Sequence, residues 1–502
     1  MLFNSLHFLL FFSVTLIVFH WIPAKLKTAW LLLCSYYFYM SWNVKYILLL
    51  VFSTVVTYFG ALGMDFIKKS QTVPEGKKAS ARKGVLILGI LLNLSVLFFF
   101  KYFDFFADSI NDIAQIAGIS LRLPAFDILL PVGISFYTFQ AVGYFADVYR
   151  EEIEPERSFL RYALFVSFFP QLVAGPIERS GNLISELREM RRPSWERMRR
   201  GFLTMLWGFF IKMVVADRIA VFVDYVYGAE NSPAGAYVLT ASVLFAFQIY
   251  CDFAGYSTIA IGAAQMLGIQ LMQNFDTPYL SLSVREFWRR WHVSLSSWFR
   301  DYLYIPLGGN RKGTLRKYIN LLFVFALSGL WHGADWSFVV WGLLNGCYQI
   351  AEDAAARIKE RVCGKSEKES RLAMSAGEKI LHTVRTFLLI DFAWIFFRSD
   401  SITQAIRMIT NMVYDFRPWI LFDGSLYSCG LGAREFGVML LGIFVLILSD
   451  IVFYRSVRLG EIIEMQPLWC RWIVYIAGIL SIVIFGVWGS GYDAANFIYF
   501  QF

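Results

Sequence analysis

Charge is what this chain has least of. Only 17% of its 502 residues are Asp, Glu, Lys or Arg, while 57% are hydrophobic. No water-soluble core hides that much apolar surface, so the solvent must be lipid. The roughly ten-residue alternating segments of a membrane β-barrel are missing too. Runs such as 85–100 and 436–451 are instead apolar on all sides, which requires helices whose backbone groups are satisfied internally. Apolar stretches recur along the whole chain with short polar loops between them. The expected fold is therefore an all-α, polytopic membrane helix bundle, read as one domain over 1–502.

Cysteines are few and unpatterned. Cys34, Cys251, Cys347, Cys363, Cys429 and Cys470 form neither CxxC spacings nor a paired framework, so neither disulfides nor a metal cluster is expected. Lys and Arg are missing before Lys25, so the first apolar stretch lacks the basic region of a signal peptide and reads as a retained helix. They are missing again from 226–236 and from 489–502.

The basic residues cluster elsewhere: six against one acid in 68–83, six against two in 188–200, seven against four in 357–379. By the positive-inside rule these are cytoplasmic loops, and the stretches without Lys or Arg face outward. The net charge of +8 thus marks membrane topology and not a nucleic-acid partner. By these markers both termini are expected outside.

Those markers set a path of roughly 11–12 spans. Helices are expected near 6–22, 29–41, 45–66, 85–106, 128–147, 201–225, 238–268, 318–331, 335–351, 383–397, 435–453 and 470–488. The segment 160–177 carries Pro170, Gly175 and Pro176 between two inside loops and must enter and leave on one side, as a re-entrant segment. The segment 281–309 is too charged to cross lipid freely, and an amphipathic or re-entrant course on the cytoplasmic side fits it.

Histidine is also scarce, with five in the chain. His7 and His20 lie in the first span and His382 adjoins a basic loop, where packing accounts for them. His332 lies between two apolar spans, where an ionisable group is costly unless partners, water or chemistry justify it. His292 lies in the charged, tryptophan-rich segment 281–309.

The strings around these two histidines resemble a known family. Glu286-Phe287-Trp288-Arg289-Arg290-Trp291-His292, running on through Trp298-Phe299-Arg300-Asp301-Tyr302 to Pro306-Leu307-Gly308-Gly309, is similar to the signature of bacterial membrane-bound O-acyltransferases. Trp331-His332-Gly333 resembles the segment with that family's invariant histidine. Asp252-Phe253-Ala254-Gly255-Tyr256-Ser257 and Gln171 to Pro176 resemble two further strings. The resemblance covers nearly the whole chain and is strongest to the branch that O-acetylates alginate or peptidoglycan.

It implies acetyl transfer from a cytoplasmic thioester, acetyl-CoA, toward an extracytoplasmic polysaccharide, with no permanently bound cofactor and a separate periplasmic partner of SGNH type. His332 is the expected base for the acceptor hydroxyl. His292 could orient the donor, share proton transfer or stabilise the oxyanion. Arg285, Arg289, Arg290, Arg300 and Lys312 are candidates for the donor's phosphates, although for any single one a lipid head group is the better account and together they only permit the donor.

The tail 490–502 ends in Phe497-Ile498-Tyr499-Phe500-Gln501-Phe502, which resembles a C-terminal motif thought to carry the acyl group on its tyrosine. A phenol with a pKa of about 10 leaves more readily than an alkyl alcohol, so an ester on Tyr499 would remain a good acyl donor. An outer aromatic belt among membrane lipids would also satisfy this composition. Two rivals stay open: a transporter without acyl chemistry, for which no repeated halves are visible, and an acyltransferase acting on lipid or protein.

Overall fold

The computed structural model describes residues 1–126, 130–173, 175–190, 192–229, 233–364, 369, 374–457 and 459–487. The described residues form helices joined by loops, with no strand among them, and six of the helices are long and apolar enough to cross a membrane. These are Val44–Lys69, Glu75–Ile116, Gly235–Met266, Ala376–Arg398, Ala433–Tyr454 and Leu468–Phe485. The other expected spans are present as shorter or more polar helices, including Ile134–Tyr149, Thr314–His332 and Trp336–Cys363. This is an all-α, multi-pass membrane protein. The chain contacts cluster into two compact units, Met1–Met205 with Ser257–Met272, and Leu206–Tyr256 with Gln273–Phe502.

In the first unit the expected interruption is where proline demands it. Helix Phe159–Ser167 stops at Phe168 and a four-residue helix, Phe169–Leu172, begins with Pro170 in its first turn, where a missing N–H costs nothing. The break frees backbone groups that lipid could not satisfy. Ser35 Oγ accepts the Phe169 N–H at 3.1 Å, and the Phe165 carbonyl accepts from Gln140 Nε2 at 2.7 Å and Gln171 Nε2 at 3.1 Å. Gln171 also donates to Gln140 Oε1 at 2.7 Å, so a buried glutamine pair repairs the helix end. Glu156 anchors the neighbouring helices: it takes Arg161 at 2.9 Å and Arg188 at 2.8 Å. Burial pulls its carboxyl upward, but the Ser158 N–H and the two guanidinium groups outweigh that and hold it below the usual range.

In the second unit the segment 281–309 folds inward. It forms two short helices, Val284–Arg290 and Val293–Phe299, then a π-helical turn, Arg300–Tyr304. Trp288 and Trp291 are buried, and Trp291 stacks on Phe287 at 5.3 Å. Aromatic packing therefore carries the segment into the core, which answers how so charged a stretch can sit there. Its exposed positions are Arg289, Arg300, Ile305 and Pro306.

Helices Thr314–His332 and Trp336–Cys363 form a tight hairpin. A Cβ on Gly329 would lie 2.1 Å from the Phe338 carbonyl oxygen, and one on Gly342 would lie 2.2 Å from that of Phe325. Only glycine permits that approach, the same device by which small residues bring membrane helices together. Asp335 closes the hairpin by accepting the Ser337 N–H at 2.7 Å as N-cap of the second helix.

Candidate functional site

His332 is the last residue of helix Thr314–His332 and is 4% exposed. Three rings enclose it: Trp331 at 4.9 Å, Trp341 at 5.1 Å and Phe397 at 5.4 Å, all near edge-on. His292 is 1% exposed, and its ring centroid lies 6.4 Å from that of His332. Sequence placed these histidines forty residues apart; the inward fold of 281–309 brings them together.

His292 holds φ at +44°, a left-handed conformation uncommon for a side chain of its size, at the N-cap of Val293–Phe299. Asn274 maintains it. The Asn274 carbonyl accepts the Val293 N–H at 2.9 Å. Its side-chain Oδ1 accepts the Ser294 N–H at 3.2 Å and the Ser294 hydroxyl at 2.8 Å, and lies 3.2 Å from His292 Nδ1. Because that oxygen can only accept, the His292 proton is assigned to Nδ1, which leaves a lone pair on Nε2. Burial pushes the His292 imidazolium down to about 3, so the ring is neutral at ordinary pH.

A cavity of about 450 Å³ is lined by Val293, next to His292, and by Ser328, one turn before His332, while neither histidine is itself in the lining. One wall is a stripe of helix Thr314–His332: Lys317, Tyr318, Leu321, Val324, Phe325 and Ser328. These residues recur at helical spacing over roughly 16 Å at 1.5 Å per residue, and Ser328 stands one turn before His332 on the same face. The opposite wall comes from Arg285, Trp288, Arg289, Leu295 and Arg300. The lining thus combines cations with the apolar side chains of Leu321, Val324 and Phe325, and it ends one helical turn short of His332.

Three of the expected cations, Arg285, Arg289 and Arg300, line this cavity. Arg290 does not: it pairs with Glu286 at 3.1 Å and lies over the Tyr454 ring at 5.0 Å. Lys312 is exposed and also outside the lining. Arg289 is exposed and has no ion pair among the described residues. Arg285 and Lys317 share Asp353, at 3.0 and 2.7 Å. Burial raises the Asp353 carboxyl, but Lys317, the Tyr318 hydroxyl and Arg357 outweigh it and hold the group below the usual range.

Sequence reading missed Lys317, Asn274, Asp353 and Ser328. The signal for two of them was available, because Lys317, Leu321, Ser328 and His332 fall on one helical face. Tyr499 and the tail 490–502 lie outside the described residues. Among the described residues no group of three or more His, Cys, Asp or Glu side chains could hold a metal ion.

A multi-pass helical membrane protein with two buried histidines facing each other near a cavity lined by cations is the class that this arrangement defines. The membrane-bound O-acyltransferase family model matches residues 150–384, which include both histidines and the cavity's arginines. The chain is 36% identical over 450 residues to the probable alginate O-acetylase AlgI of Pseudomonas aeruginosa, covering 89% of this chain and 81% of that protein. It is 38% identical over 410 residues to the peptidoglycan O-acetyltransferase of Helicobacter pylori, covering 76% and 73%. A more distant relative is the teichoic acid D-alanyltransferase of Streptococcus thermophilus, 28% identical over 258 residues, covering 48% and 61%. The chain belongs to the membrane-bound O-acyltransferase family, and it is an acyltransferase. Transport without acyl chemistry is not favoured, since these relatives are all named for group transfer.

Proposed function

We propose that this enzyme transfers an acetyl group from cytoplasmic acetyl-CoA toward an extracytoplasmic polysaccharide of the alginate or peptidoglycan kind. The polysaccharide reading follows its relatives, named for O-acetylation of alginate and of peptidoglycan. The observation that carries the chemistry is one face of helix Thr314–His332: it lines a cationic and apolar cavity from Lys317 to Ser328 and holds a buried imidazole one turn further on. The donor's phosphates would meet Arg285, Arg289, Arg300 and Lys317, and its thioester would reach past Ser328.

In this reading His332 takes the proton of the attacking hydroxyl as the C–O bond forms at the thioester carbonyl. The tetrahedral intermediate collapses with loss of the C–S bond, and the proton passes to the departing sulfur. Neutral His292, with its proton on Nδ1 toward Asn274, has a lone pair at Nε2. That tautomer suits proton sharing or orientation of the donor better than donation to an oxyanion, which would need a proton on the same atom.

The attacking hydroxyl in the first half-reaction would be that of Tyr499, followed by transfer from its aryl ester to a separate periplasmic partner of SGNH type. The whole chain would act as one acyltransferase domain in the bacterial inner membrane, with basic loops inside and both termini outside.

The test is acetyl transfer from labelled acetyl-CoA in membranes containing His332→Ala. Base removal should cost about 10²- to 10⁴-fold in turnover while protein level and donor binding persist. Turnover unchanged from the parent would remove His332 from the chemistry.

A further inference from the structure

Behind His292 lies an ion cluster that the chemistry above does not use. The side chains of Lys212, Asp217 and Asp252 are 1%, 4% and 3% exposed. Lys212 Nζ is 2.7 Å from Asp217 Oδ1, pairs with Asp252, and lies over the Tyr256 ring at 5.4 Å. Buried ion pairs seldom stabilise a fold better than apolar residues of the same size, and charge within membrane helices tends to mark function. Stability alone is a poor account of this cluster.

Its local geometry is specialised. Lys212 sits in a π-helical turn, Phe210–Ala216, a rare widening that recurs at functional sites. The turn packs against helix Gly235–Met266 at Gly255, where a Cβ would lie 2.9 Å from Lys212 Cβ and 3.1 Å from the Gly208 carbonyl oxygen. That close approach lets Lys212 reach Asp252.

The next residue, Phe253, is fully buried and meets the His292 ring edge-on, 4.6 Å away at 82°. Earlier in the same turn, the Tyr250 hydroxyl donates to Asp450 Oδ2 at 3.1 Å, and its ring packs on Trp291 at 6.0 Å. One turn of helix is therefore pinned on two sides, by Lys212 at Asp252 and by Asp450 at Tyr250. From that turn it presents one ring to Trp291 and another to His292.

We propose that the Lys212–Asp252 pair is a positioning device for His292: it fixes the rotation of helix Gly235–Met266 so that Phe253 braces the imidazole in its left-handed pose. Lys212 and Asp252 are positioning residues, and the inference rests on the reading of His292 as part of the acyl-transfer site.

The experiment measures transfer from labelled acetyl-CoA to envelope polysaccharide, in membranes containing the full chain, together with thermal stability. Lys212→Met strands the Asp217 and Asp252 carboxylates and Asp252→Asn leaves Lys212 with Asp217 alone, so both should lower melting temperature and kcat. The triple variant K212M/D217N/D252N removes all three charges and should recover stability. Its kcat should stay down by about tenfold or more, with KM for acetyl-CoA little changed, because small misplacements of a reacting group are costly.

Phe253→Leu leaves the ions intact and should reproduce the kcat loss in a stable protein, which keeps the inference testable if the charge variants fail to fold. Recovery of both stability and turnover in the triple variant would reduce the cluster to a fold element and overturn the proposal. Unchanged kcat in F253L would overturn it too. His292→Ala, run in parallel, separates the two levels: full turnover there defeats the reading of the site, whereas its loss beside silent Lys212 and Asp252 variants defeats this inference alone.

Discussion

Asn274 and His292 are eighteen residues apart in the chain, yet one amide oxygen, Asn274 Oδ1, fixes the histidine's tautomer, its ring plane and the start of the following helix. Asn274→Ala should therefore act on chemistry more than on donor binding. A loss of about 10- to 100-fold in kcat is expected, since the imidazole is no longer held in place, with KM for acetyl-CoA changed little. Steady-state kinetics in membranes check the split.

Ser328 offers a steric test of the cavity. It is the last lining residue before His332, and Ser328→Phe would fill that part of the cavity while leaving its cations untouched. Overpacking of this kind costs on the order of 1–3 kcal/mol in stability. Acetyl transfer should fall to background in a protein that still purifies as a single species, and an inhibitory excess of free CoA should still bind.

The cations should divide by position. Arg289→Ala removes an exposed lining charge without breaking an ion pair among the described residues, and should raise KM for acetyl-CoA by about five- to thirtyfold, as for one charge-assisted contact. Arg290→Ala, which removes a partner of Glu286 and Tyr454, should leave that KM near the parent value. KM measured at low and high salt gives a second reading, because exposed charge contacts weaken as salt rises.

Tyr499→Phe tests the acyl relay with the loss of a single oxygen. Loss of transfer to polysaccharide, with normal protein level and retained donor binding, is the expected outcome. Undiminished polysaccharide acetylation, read by mass spectrometry, would eliminate the relay.

The neutral burial of His292 carries a pH signature. Its folded pKa is depressed to about 3, against an ordinary value of 6.5. Below about 6.5 the unfolded chain binds a proton that the folded chain refuses, so this group's contribution is complete above that pH and is lost as pH falls toward 3. The slope approaches roughly 1.4 kcal/mol per pH unit. Melting temperature in detergent should drop on acidification through this window, and more gently in His292→Gln.

The helical, multi-pass fold was legible because lipid leaves the backbone so few choices. Apolar runs and basic loops located the helices near Ile47–Lys69, Ala433–Tyr454 and Leu468–Phe485. Ser180–Arg188 and Ile402–Tyr414 went unread because both are short and amphipathic, carrying polar residues that look like loop. The two histidines stood out by scarcity and context. Asn274 did not, since nothing local marks an asparagine whose partner is a histidine eighteen residues on. Arg290 was grouped with its neighbours by sequence, whereas helix phase separates it: Arg285 and Arg289 share the face that lines the cavity, and Arg290 is turned a further 100°.

The rings around His332 also form a collar. Trp331, Trp341 and Phe397 stand 4.9, 5.1 and 5.4 Å from the imidazole, whereas the cavity's stripe along the same helix ends at Ser328. Access to the imidazole therefore depends on how these aromatic side chains are placed, and Phe397→Ala is the change that would open the collar.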